Sequence, residues 1–281
     1  MTRRRYNVST FCQDADCRHP EKKLAAVTYL LLMGFMLVNF FLNLWQNYEV
    51  QYVTQMFDSV KILTLSDWSY SGFFMRTYFP LLVVLPTACA YLSDRQTRMQ
   101  VYMEARTGRT SYWMGKLLAV FLATFIIFTL PFLLELALNI ICFGLKPMGD
   151  PSNFPYLDTL AEDSRIFLSG LWFENRVLYA VVMTVLFGAV SGILAVFNFV
   201  VTLLPGFRYR VFAYFPVYVL FQLLYLVEQI SGRDYTMDYA FILCLFEPTK
   251  KNYPVYGLFL LVLLLAAAAM ALVRSKGDDL T

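Results

Sequence analysis

Apolar residues fall into six long runs, at residues 24–46, 77–93, 117–145, 177–204, 211–230 and 254–273, separated by polar connections. A bilayer core of about 30 Å takes roughly 20 helical residues, with a range of about 17–25. By that measure the second run, at 17 residues, sits at the short limit. The third and fourth, at 29 and 28, must tilt, kink or extend past the core. No connection exceeds the 31 residues of 146–176, which leaves little from which to build a soluble catalytic domain. The pattern predicts an all-α, polytopic membrane protein with six transmembrane helices across residues 24–273. An N-terminal arm, 1–23, and a short tail, 274–281, flank it. The first run lacks a small-residue cleavage site after it and reads as a retained span, not a secretory signal. A soluble core is excluded because stretches such as 117–129 carry no charge and no turn residue.

The connections carry their own patterns. Between the second and third runs, Ser93 or Asp94 can cap a new helix. Met99, Tyr102 and Met103 recur at i, i+3 and i+4, giving one apolar stripe. Gly108 is placed to take a left-handed conformation at its end, with Arg106 near the helix's negative pole. This predicts a short helix beneath the membrane, apolar on one face and basic on the other. It can rest on anionic lipid or dock a partner, and chemistry alone does not separate the two. In the first outer connection, Val50, Val53, Met56, Phe57, Val60 and Leu63 oppose Gln51, Thr54, Gln55, Asp58 and Lys61. That stripe predicts a helix lying on the outer interface. Residues 240–246 are apolar but too short to cross, which suits a shallow re-entrant or capping segment.

Composition agrees: 59% hydrophobic and 15% charged, against about 45–50% and about 25% in soluble domains. Charge sets the orientation. With both termini cytoplasmic, 15 of the 23 Lys and Arg residues fall inside, including Arg3, Arg4, Arg5, Lys22, Lys23, Arg95, Arg98, Arg106, Arg208 and Arg274. An excess of Lys and Arg in short loops marks the cytoplasmic side, so both ends are expected there. The net charge of +3 is then a membrane asymmetry and not a nucleic-acid signal. Trp45 and Trp172 fall near outer interfaces and Trp113 near an inner one, where amphipathic rings prefer to sit.

Candidate chemistry is sparse. Cys12, Cys17 and His19, the only histidine, lie in the N-terminal arm, at a spacing that fits no common zinc motif and lacks a fourth ligand. Cys142 and Cys244 both fall towards the outer face. Glu135 and Glu228 lie inside predicted spans, where a carboxylate is a functional candidate because burying it unpaired is costly. Both sit about 25 Å or more from the inner side at 1.5 Å per residue. They are expected to be interfacial acids, to line an outer vestibule, or to stabilise the external ends of the third and fifth spans. On the fifth run, Phe212, Phe215, Tyr218, Gln222 and Tyr225 give an aromatic surface with few charges, suited to an amphipathic or hydrophobic cargo. A phosphate-cradling loop needs Gly-x4-Gly-Lys-Ser/Thr. The nearest approach, Gly108 to Gly115-Lys116, has six intervening residues and is followed by Leu117.

The second run with Pro80 and Pro86, the Ser93-Asp94-Arg95 exit, the run at 106–116 and Pro131 after Phe125-Ile-Ile-Phe-Thr together resemble the ABC-2 type permease family. The resemblance covers roughly residues 24–273. It implies a permease subunit of an ATP-binding-cassette exporter in the cytoplasmic membrane of a bacterium, with no catalytic or cofactor site of its own. A second permease subunit and separate ATPase subunits, which bind the ATP and Mg, would be its partners, alongside membrane lipid. It further implies that Arg95, Arg98, Tyr102, Met103, Glu104 and Arg106 form the coupling helix that docks on the ATPase. The pathway would run between two permease halves, lined mainly by the second and fifth spans. Family members often carry an amphipathic helix before the first span, and residues 1–22 have no such periodicity. Three other readings stand beside it. An ion-gradient-driven transporter would need ion sites near the midplane. An intramembrane enzyme would need clustered His, Asp, Glu or Cys. A sensor or immunity subunit could use the same scaffold.

Overall fold

The computed structural model describes residues 20–49, 52, 55–66, 69–88, 104–106, 108–145, 167–204, 210–231 and 253–276. The Cys12/Cys17/His19 arm, Arg95, Arg98, Tyr102, Met103, Cys244 and the 240–246 segment lie outside them. Every described element is a helix: α1 (Pro20–Gln46), α2 (Tyr70–Leu82), α3 (Arg109–Cys142), α4 (Ser169–Glu174), α5 (Arg176–Val201), a 3-10 turn (Arg210–Tyr214), α6 (Pro216–Ser231) and α7 (Tyr253–Lys276). Local chemistry sets several of the starts. Pro20 and Pro216 open α1 and α6, where a fixed φ suits the helix and the missing N–H is not needed. Asn175 caps α5 by accepting from the Leu178 N–H at 3.0 Å.

Four helices are long and apolar enough to cross a membrane: Lys23–Gln46 within α1, all of α3, all of α5, and Pro254–Val273 within α7. The protein is therefore a multi-pass helical membrane protein. The second and fifth predicted spans look different. Helix α2 has 13 residues, begins before the predicted start and gives way to turns over residues 83–88. Helix α6 has 16 residues and follows the 3-10 turn. At 1.5 Å per residue these reach about 20 and about 24 Å, short of a full crossing. Prolines account for both shortenings: Pro86 falls in the turns after α2, and Pro216 resets the chain at the start of α6.

The main seam joins α3 to α5. A Cβ on Gly188 would collide with Oγ1 of Thr129, and one on Gly192 would press into the Phe121 ring. Two glycines four apart thus let the helix backbones approach closely, the usual basis of tight packing where lipid is as apolar as the side chains. Around this contact Phe187 meets Phe132 edge-on at 5.4 Å, Phe79 at 5.5 Å and Phe128 at 5.9 Å. One aromatic cluster therefore ties α2, α3 and α5 together. Helix α1 packs on α2 and α3, α6 on α2 and α5, and α7 on α3 and α5. Among the described side chains of α7, Leu263, Ala267 and Ala271, at i, i+4 and i+8, are the buried ones, so it leans on the bundle by one narrow stripe.

Of the three tryptophans placed at interfaces, only Trp45 presents its ring outward; Trp113 and Trp172 are buried within the protein.

Candidate functional site

The clearest built site lies at the end of the bundle where α1 and α3 finish. Residues 58–63, expected as part of an interfacial helix, are instead, with 64–66 after them, a chain of turns in which every residue is buried, Asp58 and Lys61 included. The correction has a physical cause. A helix would use its own N–H and C=O groups along its axis, whereas here they are offered to side chains of the bundle. Irregular backbone at membrane depth is tolerated only where protein or water satisfies it.

Two polar ladders hold this segment. On α1 and the turn that continues it, Asn39, Asn43 and Asn47 recur every fourth residue and share one face. The Asn39 and Asn43 amides donate to the Ile62 carbonyl at 2.8 and 3.2 Å, and Asn47 accepts from the Phe57 N–H at 3.2 Å. On α3, Glu135 is fully buried and its Oε1 accepts three bonds. They come from the Asn39 amide at 2.8 Å, the Thr64 N–H at 2.9 Å and the Thr64 hydroxyl at 2.8 Å. Ser69 closes the circuit: its hydroxyl donates to Asn39 Oδ1 at 2.6 Å and accepts from the Gly72 N–H, capping α2. A Cβ on Gly72 would strike the Thr64 carbonyl, so only glycine lets the turn segment press on α2. Both Asn39 and Glu135 lie seven residues inside their helix ends, about 10 Å deep at 1.5 Å per residue.

A third fastening is ionic. Arg176, the first residue of α5, pairs with Asp58 at 2.6 Å, and the two side chains are only 13% and 1% exposed. Its guanidinium lies 4.4 Å from the centroid of the Trp172 ring, a cation–π contact. The Asp58 carboxylate also accepts from the Val60 N–H at 2.9 Å, turning its own backbone. The Ser59 N–H donates to the Gly144 carbonyl at 3.1 Å, and Phe40, Ile62 and Phe143 form a small apolar cluster beside it.

The residues expected from sequence to carry function are placed as follows. Glu135 is fully buried and fastens the last turns of α3 to Asn39 and Thr64. Glu228 lies on α6. Phe212, Phe215, Tyr218, Gln222 and Tyr225 are all exposed, the last four along one stripe of α6 and the turn before it. Cys142 is a free, exposed thiol. Of the docking set, Glu104 and Arg106 are described: both are helical, Glu104 pairs with Arg109 at 3.4 Å, and Arg106 is exposed. Gly108 follows with φ +81° and ψ 144°. The positive φ matches the expectation for that glycine, though its ψ is extended rather than left-handed helical.

The asparagine ladder escaped the sequence reading, although Asn-x3-Asn-x3-Asn at the end of an apolar run is a visible signal of a polar partner. So is Glu135-x3-Asn139, and so is Gly188-x3-Gly192 for the α3–α5 seam. Among the described residues no group of three or more His, Cys, Asp or Glu is clustered as a metal site. No family model matches the chain, and no curated protein or solved structure does either.

Proposed function

We propose that this chain is the membrane-spanning permease subunit of an ATP-driven exporter, working with a second permease subunit and with separate ATPase subunits that hold ATP and Mg. The observation that carries the reading is the continuity of α3. Its 34 residues run from Arg109, paired with Glu104, to the turn holding Glu135 and Asn39. At 1.5 Å per residue that is a rod of about 51 Å, some 20 Å longer than a hydrocarbon core. A push on the basic connection before Arg109 would travel along one unbroken helix to Pro131, the point at which the last turns of α3 carry it to the buried turn segment. Two further features support it. Helices α2 and α6, the elements that the resemblance assigns to the pathway, touch each other. The aromatic stripe of Phe215, Tyr218 and Tyr225 faces away from the chain's own core, available to a second subunit or an apolar cargo. In this scheme both termini are cytoplasmic, α2 and α6 complete the six membrane segments, and residues 58–66 stopper the external end.

The test is co-purification. A soluble ATPase is expected to come down with the detergent-extracted chain, and Tyr102→Asp with Met103→Asp to release it while the membrane helices stay inserted. A complex that persists unchanged in that variant removes the docking assignment, and a chain that supports cargo export with no ATPase present removes the whole reading. A second reading, transport driven by an ion gradient, draws on the buried Glu135, and the same experiment separates the two.

A further inference from the structure

Glu135 uses only one of its two oxygens. All three donors converge on Oε1, while Oε2 is buried with no partner. One helical turn further along the same face, Asn139 is 0% exposed, and neither its Oδ1 nor its Nδ2 has a hydrogen-bond partner. Leaving such groups unpaired is expensive, so a cluster of them is a place for a guest. The surroundings narrow its nature. The turn segment bonds to the chain before and after Asn139: the Thr64 N–H donates to Glu135, and the Ser59 N–H to the carbonyl of Gly144. That segment carries backbone carbonyls not committed to a helical ladder, the type of oxygen that joins carboxylates in sodium sites of broken helices. No lysine or arginine pairs with Glu135 among the described residues.

We propose that Glu135 Oε2 and Asn139 Oδ1 form a binding site for a small monovalent cation of the size of Na+, pinning the buried turn segment to α3. Hard oxygen donors select a hard cation, and a single carboxylate balances a single charge, whereas calcium sites gather several. The cation locks the turn segment in place, and its departure frees residues 58–66 to move. The inference goes beyond the transport reading and does not rest on it, since binding requires only this chain.

The test uses the full chain, purified in detergent without any ATPase. Thermal unfolding is followed in NaCl and in choline chloride at equal ionic strength, with accessibility of a reporter thiol at Ile62→Cys, in a chain whose five native cysteines are replaced by alanine, measured in parallel. The expected result is a saturable rise of the midpoint and slower thiol labelling with Na+ alone. Both responses are lost in Asn139→Leu, which breaks no hydrogen bond to protein, and in Glu135→Gln. Equal midpoints in the two salts overturn the proposal. So does a Na+ response that survives in both variants. An Asn139→Leu chain that melts above an unresponsive parent assigns the site to water or to a plain uncompensated amide, and also overturns it.

Discussion

The α3–α5 seam and the buried turn segment lie in one bundle but are held by opposite means. At the seam, Gly188 and Gly192 admit the neighbouring helix and phenylalanines fill the space around it, so cohesion is spread over many weak contacts. In the turn segment, Asn39, Glu135, Ser69 and Arg176 each supply bonds that no neighbour can replace. The difference teaches where this protein resists change. A seam loses stability in proportion to the volume removed. A polar fastening fails as a unit, because each partner left behind is buried and unsatisfied.

Substitutions can break this contrast. The largest effect is expected at the seam: Phe187→Ala empties the centre of the aromatic cluster and should cost about 4 kcal/mol, read as a lowered midpoint in urea or SDS unfolding with loss of contact between α3 and α5. Next, Arg176→Met strands Asp58 in the interior, at about 3 kcal/mol. Adding Asp58→Asn should recover most of that loss, a double-mutant cycle that a spread-out interface would not show. Asn39→Leu should cost about 2 kcal/mol, by taking one of three donors from Glu135, one of two from the Ile62 carbonyl and the acceptor of the Ser69 hydroxyl. Its signature is local, with faster labelling of a cysteine placed at Ile62 and unchanged helical circular dichroism. The smallest effect belongs to Gly108→Ala. No atom would meet the new Cβ, so the roughly 1 kcal/mol expected comes from the positive φ alone, and should appear as fraying at the start of α3 in hydrogen exchange.

The contrast also explains what the sequence disclosed. Hydropathy marks α1, α3, α5 and α7 because each must bury its backbone bonds within one long apolar segment. Gly108 was legible as a position of positive φ, but its ψ is extended and not that of the left-handed exit expected. The turn segment was not. Val60 and Leu63 belong to a stripe with helical period, and such a stripe says nothing about polar partners on distant helices. Asp58 and Lys61 read as a solvated face, yet both are buried, Asp58 against a partner 118 residues away, Arg176. Glu135 was visible as an intramembrane acid, but its role follows from Asn39, 96 residues earlier in the chain.

Pro131 sits inside α3, one turn ahead of Glu135. Lacking an N–H, it leaves the Ile127 carbonyl without its usual ladder bond, so flexing there severs no backbone link. The final turns of α3 therefore form a natural elbow: swinging them outward would draw Glu135 from Thr64 and Asn39 together, while the Gly188 crossing with Thr129, ahead of the proline, stays packed.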